Sequence, residues 1–168
     1  MRLKMKLALW ILTSLSAFII IVGCGREPDE RGTMEQNKGI QRGYVEALNR
    51  GDSAFVEGYL HPEYVFHGPM GDLNKEQFSQ SHAAILAAFP DLELTIEDQI
   101  AEGDKVVMRW TGRGRHEGEF QGLAPTGKEV VITGITISRI EGGKEIEAWE
   151  EVNMLGLMQQ LGAIPSPE

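Results

Sequence analysis

The chain has 168 residues, of which 42% are hydrophobic and 24% charged, with a formal net charge of -9. That is one domain's worth of chain with enough apolar content for a packed core, and its acidic balance, with no Lys/Arg-rich block in the body, argues against a phosphate-backbone partner such as nucleic acid. Cys24 is the only cysteine, so neither an intrachain disulfide framework nor a cysteine metal site can form.

Residues 1–23 read as a targeting segment. Arg2, Lys4 and Lys6 make a basic start, and Leu7 to Val22 is apolar and free of charge, the layout of a secretory signal peptide. The apolar run is near the lower limit for spanning a bilayer, so a retained anchor is the competing reading. Ile21-Val22-Gly23-Cys24 resembles a bacterial lipobox, in which the cysteine is lipidated and becomes the mature N-terminus. The expectation is a lipoprotein held to the cell envelope, on its periplasmic or extracellular face, through Cys24. Residues 24–32 then form a solvated tether, and 33–168 the domain.

A first helix is expected from Met34 to Asn49, with Ile40, Tyr44, Val45 and Leu48 on one face. A short second helix follows over Ala54 to Leu60, broken by His61-Pro62. Glu63 to His67 reads as a short strand. Asn74 and Gln77 make a capping box for the next helix, flanked by the staple pair Leu73 and Phe78. Phe78, His82, Ile85, Leu86 and Phe89 line its apolar stripe, which leaves His82 as either a core histidine or a pocket-lining group.

The stretch from Val106 to Trp149 organises the rest. Leu92, Leu94, Ile96 and Ile100 alternate with polar residues along a half-exposed strand that turns at Gly103. Val106, Met108 and Trp110 share one face of the next strand. Val130 to Ile140, apolar on both faces, predicts a central strand. On the last strand Ile146, Ala148 and Val152 share one face, and Glu145, Glu147, Trp149, Glu151 and Asn153 the other if no bulge intervenes. Leu155, Met158 and Leu161 suggest a final helix. Helices first and four long strands last predict an α+β fold, with helices on one face of a curved antiparallel sheet.

The order of these pieces resembles the SnoaL-like polyketide cyclase (ester cyclase) family, within the nuclear-transport-factor-2-like cone fold. The resemblance rests on Asn49-Arg50-Gly51-Asp52, Val65-Phe66-His67-Gly68-Pro69, Ala87-Ala88-Phe89-Pro90-Asp91-Leu92 and Arg109-Trp110-Thr111-Gly112-Arg113-Gly114. It continues through His116 with Gly118 and Phe120, Pro125-Thr126-Gly127-Lys128, Glu147-Ala148-Trp149 and Leu155 to Gly162. It implies intramolecular aldol ring closure by a carboxylate acting as general acid/base in an apolar cavity, without metal or organic cofactor. Many relatives carry Asp where this chain has Asn153, and an amide exchanges no proton near neutral pH.

The cavity such a cone leaves is expected to take a small apolar or aromatic molecule, with Trp110, Met108, Phe78 and Phe89 as walls and His67 and His116 as polar contacts. Glu147, beside the apolar wall of Trp149, is the candidate general acid/base, and His116 the candidate donor to a carbonyl oxygen. The bland reading of Glu145, Glu147 and Glu151 is a solvated outer face. His61, His67, His82 and His116 are dispersed, no His-Glu-x-x-His occurs, and Ser79, Ser81 and Ser138 sit in no nucleophile elbow. No metal site and no cofactor are expected. The alternative function is a non-catalytic ligand-binding or assembly lipoprotein; a homodimer through the outer sheet face, common among cone-fold proteins, suits either.

Overall fold

The computed structural model describes residues 30–165. The signal segment, most of the tether and Cys24 lie outside the described residues, and among those described no helix is long and apolar enough to cross a membrane. The elements are α1 (Glu30–Asn49), α2 (Ser53–Tyr59), β1 (Leu60–Gly68), β2 (Gly71–Asn74), α3 (Lys75–Ala88), β3 (Glu93–Glu102), β4 (Lys105–Arg115), β5 (Glu129–Glu141), β6 (Lys144–Val152) and α4 (Met154–Leu161). One sheet of order β2-β1-β6-β5-β4-β3 takes every strand. Only β1 and β6 run parallel; the other neighbours are antiparallel.

The helices gather on one face of this sheet. α1 packs on β3 and β4, α3 on β1 and β2, and α4 on β5. The result is the α+β cone that the element order predicts, with β4, β5 and β6 as the expected meander. The capping box of α3 is present in full: Asn74 Oδ1 accepts from the Gln77 N–H and Gln77 Oε1 from the Asn74 N–H, both at 3.0 Å.

Four local expectations change. α1 starts a turn earlier than Met34. Pro69-Met70 lies between β1 and β2, a hairpin the sequence reading did not contain. A bulge at Glu97, where Ile96 faces Trp110 but Asp98 faces Arg109, reverses the alternation of β3 and turns Ile100 out to 63% exposure. β5 is central as expected, but only one of its faces is covered. Val130, Ile132 and Ile140 are buried while Val131 and Ile135 are 39% and 46% exposed on the outer face.

α4 is docked by hydrogen bonds that continue the sheet ladder. The Asn153 N–H donates to Thr133 O at 2.9 Å, and the Gln160 side chain pairs with both the N–H and the C=O of Val131 at 2.8 and 2.9 Å. Leu157 and Leu161, rather than the expected Leu155, form its buried face. Asn153 itself caps the helix, its Oδ1 accepting from the Gly156 N–H at 2.9 Å. Asp and Asn cap equally well, so the exchange of Asp for Asn at this position leaves the cap intact. Asn153→Asp is expected to keep the stability of the fold to within a few tenths of a kcal/mol, whereas Asn153→Ala should cost about 1 kcal/mol, read by urea denaturation.

Candidate active site

Alternation along three neighbouring strands builds the concave wall. β4 turns Met108 and Trp110 inward, β5 turns Ile132, Gly134, Thr136 and Ser138, and β6 turns Ala148, Glu150 and Val152. α1 adds Tyr44, and α3 adds Phe78, His82 and Ile85. Between them lies a cavity of about 370 Å³ with an almost wholly apolar lining. Met70, 80% exposed, and Gln121 stand at its rim, the Gln121 amide donating to Met70 Sδ at 3.4 Å. Among the described residues, Glu119 and Glu150 are the only acidic side chains in the lining; Glu119 is exposed and Glu150 half-buried.

Trp110 lies opposite Gly134 in the β4–β5 register. A Cβ on Gly134 would stand 2.4 Å from the indole, so only glycine lets the ring lie flat there. The indole Nε1–H then donates to Thr136 Oγ1 at 2.9 Å, and that hydroxyl donates to Glu150 Oε2 at 2.8 Å. The direction of this chain is forced. An indole N–H is donor only, so the Thr136 hydroxyl accepts there and has its single proton left for Glu150. Oε2 is therefore an acceptor in either protonation state. Any proton that Glu150 carries sits on Oε1, which has no hydrogen-bond partner among the described residues.

Burial pushes the Glu150 carboxyl up to about 7; the Thr136 hydrogen bond opposes this and the Glu145 charge adds to it. The apolar side chains that line the cavity around Glu150 supply this desolvation. Burial likewise lowers His82, which is neutral near pH 7. The Tyr44 hydroxyl lies 3.5 Å from His82 Nε2 and is held in its protonated form by burial and by Glu145 and Glu150. One carboxyl poised near neutrality, one neutral imidazole and one phenol thus share an apolar cavity.

A smaller chamber of about 40 Å³ lies alongside and shares Tyr44, Phe66, Phe78, Trp110 and Glu150 with the main cavity. Its other acid is Glu145, 6% exposed. Tyr59 and Tyr64 donate to its two oxygens at 2.6 and 3.0 Å, and Ser138 lines the same chamber.

The expected site residues divide between two faces of the sheet. Phe78, His82, Phe89 and Trp110 line the cavity and Met108 lines the inner chamber. Glu147, His67 and Trp149 are on the outer face. There Glu147 takes Arg139 at 2.9 Å and His67 at 3.1 Å, and His67 also meets Asp72 at 2.8 Å and stacks on Trp149. Partial desolvation pushes the Glu147 carboxyl up, but the Arg139 and His67 contacts outweigh it and hold it below the usual range. The cause is a bulge at Ile146: Arg139 faces Glu147 while Ile140 faces Glu145, so Glu145 turns in and Glu147 stays out.

His116 is wholly buried and lines neither space. Its Nδ1 accepts from the Thr126 N–H at 3.2 Å, which puts the ring proton on Nε2, and its ring tilts against Phe89. It pins the Pro125–Lys128 turn to the loop after β4. The neighbouring Glu117 and Gly118 N–H groups both donate to Ala88 O, and a Cβ on Gly118 would stand 2.2 Å from Ala87 O. Sequence reasoning missed Tyr44, Thr136 and Glu150 as site residues. For Glu150 the signal was available, because it falls between Ala148 and Val152 on their own face at period two.

Residues 38–161 match the family described as SnoaL-like polyketide cyclase. The chain is 33% identical over 138 residues to aklanonic acid methyl ester cyclase AcmA of Streptomyces galilaeus, covering 80% of this chain and 94% of that protein. Among solved structures, AclR from Streptomyces galilaeus superposes with a TM-score of 0.76 at 31% identity, over 80% of this chain and 86% of that one. TsrD from Streptomyces laurentii gives 0.70 at 32% identity, over 77% and 97%.

The raised carboxyl of Glu150 has a consequence for stability. Its ordinary value is 4.5 and its folded value about 7. Between those values the folded state binds the proton more tightly than the unfolded chain, so stability falls as pH rises through this window, by about 3 kcal/mol in all. Glu150→Gln is expected to flatten this part of the curve and to be the more stable protein above pH 7. Urea denaturation at several pH values checks it; a variant curve parallel to the wild type refutes the assignment.

Proposed function

Since the chain belongs to the SnoaL-like polyketide cyclase family, we propose that it carries out cofactor-independent acid/base chemistry on a small, largely apolar carbonyl compound, with Glu150 as the general base. The observation that supports this most is the position of Glu150: a carboxyl in an apolar cavity, with one oxygen engaged by Thr136 and the other open. A base that water does not level is what removal of a proton next to a carbonyl requires.

In the proposed step Oε1 takes a proton from the carbon beside the carbonyl. The C–H electron pair moves into the enolate, whose oxygen is met by a donor from Tyr44 or His82. The enolate carbon then attacks a second carbonyl of the same molecule, forming the ring bond, and Glu150 returns its proton to the resulting alkoxide. Tyr44 suits the donor role because it keeps its proton, and a neutral His82 can donate without a charge to desolvate. The apolar walls exclude water and favour a folded, apolar substrate chain.

We place this cavity at the cell envelope. The basic start, apolar run and Ile21-Val22-Gly23-Cys24 support lipidation of Cys24 and export of the domain.

Two measurements test these readings. With a panel of aryl- and alkyl-substituted 1,5- and 1,6-diketones, which can close a ring by this step, Glu150→Gln is expected to lower turnover by roughly 10²–10⁴-fold while ligand affinity stays within a few-fold of wild type. Turnover that survives in the variant rules Glu150 out as the base. In cells fed a palmitate analogue, the wild-type chain should take up label and Cys24→Ser should not; equal labelling of both ends the lipoprotein reading.

A further inference from the structure

Glu145 is a buried acid for which the proposed step has no use. It is buried, yet among the described residues it is not paired with a cation: no Lys or Arg lines the inner chamber or the main cavity. Strict alternation along β6 would put it on the outer face with Glu147. The extra residue at Ile146 instead swings it inward, onto the side of Ala148 and Glu150. Bulges that re-aim one side chain beside a site are specific features of a fold and not slack in it.

The surroundings of Glu145 differ from those of Glu150 in one countable respect. Tyr59 from α2 and Tyr64 from β1 each donate to one of its oxygens. Ser138 from β5 lines the same chamber and is held from behind. Gln99 Nε2 donates to Gln41 Oε1 at 2.8 Å, which turns the Gln41 amide N–H onto Ser138 Oγ at 2.9 Å. Glu145 thus has two hydroxyl donors, while Glu150 has one.

We propose that Glu145 is a positioning residue for Glu150: a second carboxylate, brought into the same chamber by the bulge at Ile146 and held by two tyrosine hydroxyls, whose negative charge raises the proton affinity of Glu150. The consequence for turnover rests on the reading of Glu150 as the base; the electrostatic relation does not. Two carboxyls in one water-poor chamber resist ionising together, and the first to ionise is the one with more donors. Burial raises Glu145, and the Ser138, Tyr59 and Tyr64 hydroxyls oppose that rise. The other titratable groups facing Glu150 do not compete for this role. Tyr44, Tyr59 and Tyr64 are all shifted up by burial and stay protonated, His82 is shifted down and stays neutral, and Glu119 is exposed on the rim.

The test is a titration that needs no substrate. The full chain is labelled with 13C at the glutamate side-chain carboxyl, and the Glu150 resonance is assigned by its absence in Glu150→Gln. In Glu145→Gln the Glu150 midpoint is expected to fall by about one pH unit or more, a tenfold loss of proton affinity. Tyr64→Phe keeps the ring but removes one donor from Glu145, and should move Glu150 in the same direction by less. It serves as the reporter if Glu145→Gln fails to fold. A Glu150 midpoint that is unmoved or higher in the folded variants overturns the proposal, as does a wild-type Glu150 that titrates with the ordinary glutamates. A merely structural Glu145 changes stability and leaves the midpoint where it was. Because the readout is the carboxyl itself, a failed turnover assay leaves this inference standing, and its own failure leaves Glu150 free to act as base.

Discussion

A buried indole N–H must find an acceptor, and most of the site follows from how this chain provides one. Trp110 fits flat on the concave wall only because Gly134 opposite it has no side chain. Lying there, its N–H is out of reach of water, and leaving it unpaired would cost about 1–3 kcal/mol. Thr136 accepts it. That commitment leaves the threonine proton a single direction, towards Glu150, and so decides which carboxyl oxygen is held and which is open. Packing and chemistry are therefore one constraint here. A change that tilts the indole also releases the hydroxyl and frees the carboxyl to rotate.

Much of the cone is legible in the sequence because its signals are local. The Asn74–Gln77 capping box, the inward row Val106, Met108 and Trp110, and the β-branched run of β5 each depend on residues a few positions apart. The bulges at Glu97 and Ile146 depend on how two strands align across a sheet, and nothing within β3 or β6 marks them. Each reverses an alternation, and so Ile100 and Glu145 end on the face opposite to the one that strict period two assigns. The bulge in β6 is the more consequential, because it separates two glutamates that read as equivalent. Glu147 finds Arg139 and His67 in a solvated cluster, and Glu145 finds tyrosines. Glu150, beyond the bulge, keeps the period of Ala148 and Val152 and so faces inward with them.

Several of the motifs that carry the family resemblance serve the frame and not the reacting atoms. His116 holds the Pro125–Lys128 turn through Thr126. Asn153 and Gly162 cap α4 at its two ends. Even the exchange of Asp for Asn at position 153 acts at a helix terminus, where both residues do the same work. This division explains why the motif order identifies the fold so readily while saying little about the walls of the cavity.

Two side-chain amides complete the sheet in a way that reaches beyond the site. Asn49 pairs with the N–H and the C=O of Leu94, both at 2.8 Å, just as Gln160 pairs with Val131. Each amide imitates a peptide group of a neighbouring strand. β3 is an edge strand, and an open edge is a template on which another chain can add a strand. With Leu94 already occupied, an incoming segment cannot run its ladder through that point without first displacing the asparagine. The molecule thus carries its own stop against edge-to-edge polymerisation, built from the residue that ends α1, so that the seating of that helix and the closure of the sheet margin happen together.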